Sequence, residues 1–132
     1  MSSRGFDALE TDECFGLVGS RTFGRIGFEI AEDPIVLPVF YALIGDEIVF
    51  RTDPGSKLIA AVLESRVAFE VDDVDEGWSV VIVGHAREVR TPSSLADHLR
   101  PRLDVVWPAG ERERLVRIAV DRITGRRLHP AG

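Results

Sequence analysis

Apolar residues alternate with polar or small ones along six stretches of this chain, and each alternation predicts a β-strand. Gly24-Arg25-Ile26-Gly27-Phe28-Glu29-Ile30 is the first, and Glu32-Asp33-Pro34 turns the chain after it. Ile35 to Leu43 is the second. It contains Pro38, which predicts an edge, a bulge or an interrupted ladder because proline has no N–H to donate. Gly45-Asp46 is a hairpin signal leading into a strand that ends at Arg51. Val67 to Asp72 follows, then an acidic turn, then Trp78 to Val89, where Gly84 permits a bulge. Leu115 to Val120 is the last strand, and Ile123-Thr124-Gly125-Arg126 reads as a turn or strand end.

Helical spacing is confined to short pieces. Thr11 or Asp12 can cap a helix that ends near Gly19. Residues 56–64 place Leu58, Ile59, Val62 and Leu63 on one face, and Ser93 or Ser94 caps a short helix through Leu99. Residues 1–8 read as a loose tail. Six strands with two or three small helices predict a mainly β protein, a small antiparallel barrel whose helices cover its openings. Side chains fill the interior of so small a barrel, so a large ligand binds outside it, on a face or between subunits.

Length and charge narrow the function. The 132 residues suit one domain, and no internal repeat divides them. A net charge of −6 argues against general nucleic-acid binding, which needs a basic face. No stretch resembles a signal peptide or reaches the length of a membrane span, so a cytoplasmic protein is expected. Cys14, the single cysteine, excludes an intrachain disulfide and reads as a small core residue. His85, His98 and His129 have no common metal spacing, and the acidic residues 72–76 lack a calcium-loop pattern.

Candidate chemistry concentrates between Phe50 and Leu58. Arg51-Thr52 ends a strand, Pro54-Gly55 turns, and Ser56-Lys57 stands where a helix begins. Two cations and two hydroxyls on one loop make a chemically sufficient seat for a phosphate. Lys57 is the only lysine among 16 basic residues, and it falls here. A solvated strand-turn-helix connection is the plainer reading of the same run.

Several ordered stretches together resemble the pyridoxamine 5′-phosphate oxidase-like FMN-binding split barrels, most closely the small nitroimidazole-resistance-like members. They are Gly24-Arg25-Ile26-Gly27, Leu37-Pro38-Val39-Phe40-Tyr41, Phe50-Arg51-Thr52 with Gly55-Ser56-Lys57-Leu58, and Phe69-Glu70-Val71-Asp72. Gly77-Trp78-Ser79-Val80, Gly84-His85-Ala86, Trp107-Pro108-Ala109-Gly110 and Ile123-Thr124-Gly125-Arg126 complete them. The resemblance implies a six-stranded split barrel that forms a homodimer, with a flavin in each of two interfacial grooves. It also implies that the backbone of Pro38, Val39, Phe40 and Tyr41 meets the flavin ring, while Arg51, Thr52, Ser56 and Lys57 hold its phosphate. Trp78, Ser79 and Trp107 match segments near the ring. Either tryptophan also reads as a core or dimer anchor. Relatives commonly carry Asn where this chain has Phe40.

The activity this implies is an FMN-dependent oxidoreductase acting on a small organic substrate, with no catalytic acid assigned. A reductase using the deazaflavin F420, or a non-catalytic dimeric module holding flavin or haem, is the alternative on the same fold.

Overall fold

The strand-rich stretch that ends at Ile44 is interrupted at Tyr41, and that interruption organises the sheet. The computed structural model describes residues 6–52, 57–63, 65–88 and 114–128. Its elements are β1 (Phe6–Ala8), α1 (Thr11–Gly19), β2 (Phe23–Ile30), β3 (Asp33–Phe40), β4 (Ala42–Ile44) and β5 (Glu47–Thr52). They continue with α2 (Lys57–Leu63), β6 (Arg66–Asp73), β7 (Trp78–Glu88) and β8 (Arg114–Leu128). The helix expected over residues 93–99 lies outside the described residues, and among the described residues no helix is long and apolar enough to cross a membrane.

The strands form one antiparallel sheet in the order β3-β2-β6-β7-β8-β5-β4, with β1 added on β8. β3 and β4 are its opposite edges, yet only Tyr41 separates them along the chain. Two Cα–Cα steps join Phe40 to Ala42, a reach of about 7 Å, far short of the six inter-strand spacings that would separate the two edges in a flat sheet. The sheet therefore has to curl until its edges meet, which produces the split barrel. Tyr41 is fully buried at this seam. Its N–H donates to the Thr22 carbonyl at 2.9 Å, its hydroxyl to the Val18 carbonyl at 2.6 Å, and its ring meets Phe69 edge-on at 5.0 Å. Burial pushes the phenol's pKa up, so it stays a neutral donor.

Period-2 alternation then fills the barrel. Ile26 and Phe28 of β2, Phe69 and Val71 of β6, and Val80 and Ile82 of β7 all point inward and are buried. Cys14 and Val18 of α1 join this core, as expected of Cys14. Two features extend the sheet beyond the sequence reading. Phe6–Ala8, expected as loose tail, pairs with Arg126–Leu128. The two C-terminal pieces are one strand, β8, kinked where Val83 faces Arg122 but Gly84 faces Val120. Asp121 is the surplus residue of that bulge. A Cβ on Gly84 would run into the Ala119 carbonyl, which is why this site takes glycine.

The β2–β3 turn also sits one residue earlier than expected. Ile30 pairs with Asp33, leaving Ala31 and Glu32 as a two-residue loop with φ of 50° and 70°. Left-handed backbone at both positions suits the right-handed twist of a hairpin but strains residues with a Cβ. Replacing Ala31→Asn and Glu32→Gly together is expected to stabilise the protein by about 1 kcal/mol in urea unfolding. Tyr41→Phe is expected to destabilise it by about 1–3 kcal/mol, because the seam loses a buried donor.

Candidate functional site

β3 is an edge strand with prolines at two positions of one parity. Pro34 pairs with Glu29 and Pro38 with Arg25. Neither nitrogen can donate, so the ladder to β2 stays intact only if these are non-hydrogen-bonded pairs. The backbone groups of residues 34, 36, 38 and 40 then point to the outer edge, where no other strand pairs. Carbonyls line that edge, with N–H donors only at Val36 and Phe40. A small polar ligand can use such an edge, whereas an added strand would find alternate rungs missing.

The same parity decides the side chains. Phe40 pairs with Phe23, Pro38 with Arg25 and Val36 with Gly27, all on the face away from the core. Val36 is 65% exposed, and the rings of Phe23 and Phe40 touch edge-on at 5.1 Å. Val39 points the opposite way and packs against the core. Tyr41, at the seam, is committed to the core as described above. Residues 38–41 thus form one backbone track, but their side chains divide between two faces.

Gly27 pairs in turn with Ala68 of β6. This pair of small residues floors two adjoining hollows of about 540 and 360 Å³, which share Gly27, Val36 and Ala68. Nothing in the fold requires glycine at position 27. A Cβ there would meet no atom closer than 3.8 Å, and its φ lies outside the left-handed region. A strand-interior glycine costs about 0.5–1 kcal/mol against alanine, so the open floor is not explained by the stability of the strand. The sequence pattern marked Gly27 only as part of a strand. The signal available was a glycine at an outward position of that strand, opposite a second small residue.

The second part of the site ends β5. Arg51 is only 4% exposed, the one charged residue buried to that degree among the described residues. It pairs with Leu115 on the outer side, beside a small apolar cluster of Val49 and Leu115. Thr52, next along the strand, turns to the opposite side. Its Oγ1 is buried and makes no hydrogen bond among the described residues. Such an atom costs about 1–3 kcal/mol unless a ligand or neighbour satisfies it. Adjacent strand residues diverge, so β5 ends with Arg51 and Thr52 turned to opposite sides of the sheet. Lys57 opens α2, as the turn residues before it predict. Its side chain, together with Ser56 and Trp107, lies outside the described residues.

Trp78 and Ser79 begin β7. Trp78 is 2% exposed, donates its indole N–H to Glu76 at 2.8 Å and lies 5.3 Å under the Arg21 guanidinium. Arg21 also binds Asp73 at 2.8 Å. The Glu76 backbone N–H and Arg21 together hold the Asp73 carboxyl below its ordinary range. Trp78 therefore sits in the core with its polar edge anchored. Ser79 pairs with Asp72 on the outward face.

Two charged clusters border the furrow. Arg25 is shared between Glu70 at 3.2 Å and Asp72 at 3.5 Å. Burial, reinforced by the hydrogen bond and charge of Asp72, pushes Glu70 up to about 7 against the pull of Arg25. At the β8 bulge the His85 Nδ1 lies 2.7 Å from Asp121, and Arg66 stands 3.8 Å from the same carboxylate. Neither cluster follows from sequence spacing, because each joins neighbouring strands.

Comparison with known proteins agrees with this architecture. The family profile described as pyridoxamine 5′-phosphate oxidase matches residues 10–127. The uncharacterized protein Rv0080 of Mycobacterium tuberculosis is 33% identical over 96% of this chain and 88% of its own. The structure of the FAD binding protein from Mycobacterium smegmatis is 33% identical, covers 94% of this chain and 100% of its own, and superposes with a TM-score of 0.81. A FAD-binding protein from Mesorhizobium loti shares the fold, with 23% identity, coverage of 94% and 99%, and a TM-score of 0.79.

The position of Phe40 yields a test. Its ring is 42% exposed and pairs only partly with Phe23, so Phe40→Asn is expected to cost less than about 1.5 kcal/mol in urea unfolding. A larger loss would place Phe40 among the residues that hold the sheet together.

Proposed function

The chain belongs to the pyridoxamine 5′-phosphate oxidase family, and from that premise we propose that it is a cytoplasmic, flavin-dependent oxidoreductase acting on a small organic substrate. FMN is the proposed cofactor. Its phosphate is held where β5 ends, by Arg51 and Thr52 with Ser56 and Lys57, and its ring lies along the β3 edge at residues 38–41. Trp107 borders the ring. When bound, the flavin supplies the electron transfer, and the chain's part is to hold and orient it.

The observation that carries this reading is the buried, unsatisfied Oγ1 of Thr52 at the end of a strand that also buries Arg51. An anion at this place gives the hydroxyl an acceptor and brings a guanidinium into a charge-assisted bond. FAD is the second reading, favoured by the 33% identity to the M. smegmatis FAD binding protein. The proposed assembly is a homodimer that covers the outward face of β2, β3 and β6. Val36 projects from this face beside the furrow floored by Gly27 and Ala68, so a two-fold axis lets each copy's Val36 enter the other's furrow.

Mass spectrometry of what heat releases from the purified protein is expected to find FMN, and FAD there would select the second reading. Thr52→Val keeps the side-chain shape and removes the hydroxyl. It is expected to leave the ligand-free protein at least as stable while weakening FMN about tenfold and riboflavin hardly at all. Unchanged FMN affinity would remove Thr52 from the site. Lys57→Ala is expected to weaken FMN by about ten- to a hundredfold, again sparing riboflavin. Light scattering at low micromolar concentration should give twice 14.6 kDa, and Val36→Asp should reduce it to 14.6 kDa.

A further inference from the structure

The carboxylates at one end of the furrow are arranged around too little positive charge. Glu70 and Asp72 are two residues apart on β6, so both point to the outward face, and Arg25 of β2 is their shared cation. From β7 the facing residues are Val81, opposite Glu70, and Ser79, opposite Asp72. Beyond Arg25 on β3 stands Pro38, and beyond Ser79 on β8 stands Arg126, whose guanidinium lies 4.2 Å over the Phe6 ring. Glu29 and Arg66 share the face further along their strands. Among the described residues within direct reach, one guanidinium serves two carboxylates.

In solution water covers this excess negative charge, since the three side chains are each about a third to a half exposed. A second copy seated on the face removes that water. The hollow that Glu70 and Asp72 line also contains Val36 and the Gly27–Ala68 floor, so the carboxylates are continuous with the surface the two copies bury. A buried net charge is costly unless neutralised. One proton between the carboxyls replaces a repulsion with an O–H···O bond and brings the cluster to neutrality. Glu70 is already raised to about 7 in the single chain, mainly by burial, so further burial acts on a group poised to accept it.

We propose that association through the β2–β3–β6 face is coupled to uptake of one proton per chain at the Glu70–Asp72 pair, so that the dimer tightens as pH falls. The sign follows from linkage. A carboxyl whose affinity for protons is greater in the dimer favours the dimer at low pH and loses that contribution as pH rises through its value there. Each unit by which association raises the pKa is worth about tenfold per chain. The coupling rests on the homodimer reading above, and it adds a control on that interface rather than a new contact.

Subunit exchange between unlabelled and ¹⁵N-labelled protein, read by native mass spectrometry, tests it at about pH 6 and about pH 8. Exchange is expected to be at least about tenfold faster at the higher pH. Glu70→Gln, which leaves the cluster neutral at either pH, should exchange slowly at both. Asp72→Asn is expected to flatten the dependence as well, while His85→Gln, which removes an imidazole outside the cluster, should keep the wild-type slope. Equal wild-type rates at the two pH values would overturn the coupling while leaving the dimer standing, and so would a wild-type slope in Glu70→Gln. A wild-type slope lost in His85→Gln would overturn it too, by assigning the proton to the imidazole. If the wild type is monomeric at both pH values, the dimer reading fails and the coupling fails with it. If it is dimeric but unaffected by Val36→Asp, the interface lies elsewhere and the Glu70–Asp72 assignment falls.

Discussion

The hydrogen bond from the Tyr41 hydroxyl to the Val18 carbonyl ties the last turn of α1 to the only residue joining the two edges of the sheet. Everything that makes the barrel a barrel passes through that point. The backbone N–H of Tyr41 is bonded to Thr22, just before β2, so both ends of the curled sheet are held to the same short segment. The ring presses on Phe69 in the centre of β6, which carries the constraint to the middle strands. Were the seam free to open, β3 would be a loose flap and its outer edge would have no fixed relation to the end of β5. A ligand that needs both can be bound only because the seam is closed.

From this closure follows a division of labour between the two faces of the strands. Inward positions are large, apolar and buried. Outward positions on β2, β3 and β6 instead combine exposed apolar residues, two prolines, a glycine with room for a side chain, and one shared ion pair. None of these outward choices helps the barrel fold. Gly27 weakens its strand, Pro38 removes a donor, and Val36 exposes apolar surface. Together they leave this face more open and more apolar than the packing of the barrel requires.

Much of the fold was legible because its driving pattern is local. Alternation located β2, β5, β6 and β7 almost to the residue, Pro38 limited its strand to an edge, a bulge or an interrupted ladder, and helical spacing over residues 56–64 anticipated α2 at Lys57–Leu63. What escaped was whatever depends on pairing between distant strands. Phe6–Ala8 is too short to show a period and exists as a strand only because β8 extends far enough to receive it. The bulge at Asp121 made one strand look like two, since the surplus residue shifts the alternation by one place. For the candidate site, sequence brought Arg51 and Thr52 together as neighbours. The strand's alternation separates their side chains, which neighbouring positions in a sequence do not reveal. Trp78 reads the same from sequence as an anchor or a ligand neighbour, because its fixation by Glu76 and Arg21 spans two separate segments.

The long strand β8 has a consequence for how the molecule is made. Its partners are β7, β5 and β1, and the pair Phe6↔Leu128 joins residues 122 positions apart (128 − 6). During synthesis, β5 emerges with one ladder edge and must wait for Arg114 and the residues after it. At roughly 5–20 residues per second, that interval lasts several seconds. β1 waits longer still. Until then the described strands that can pair are β3-β2-β6-β7 on one side and the β4–β5 hairpin on the other, with no β8 to join them. Non-local pairing of this kind slows folding and prolongs exposure of unpaired edges. The sheet therefore closes last at β8, and its two halves can be joined only when residues from Arg114 onward have been made.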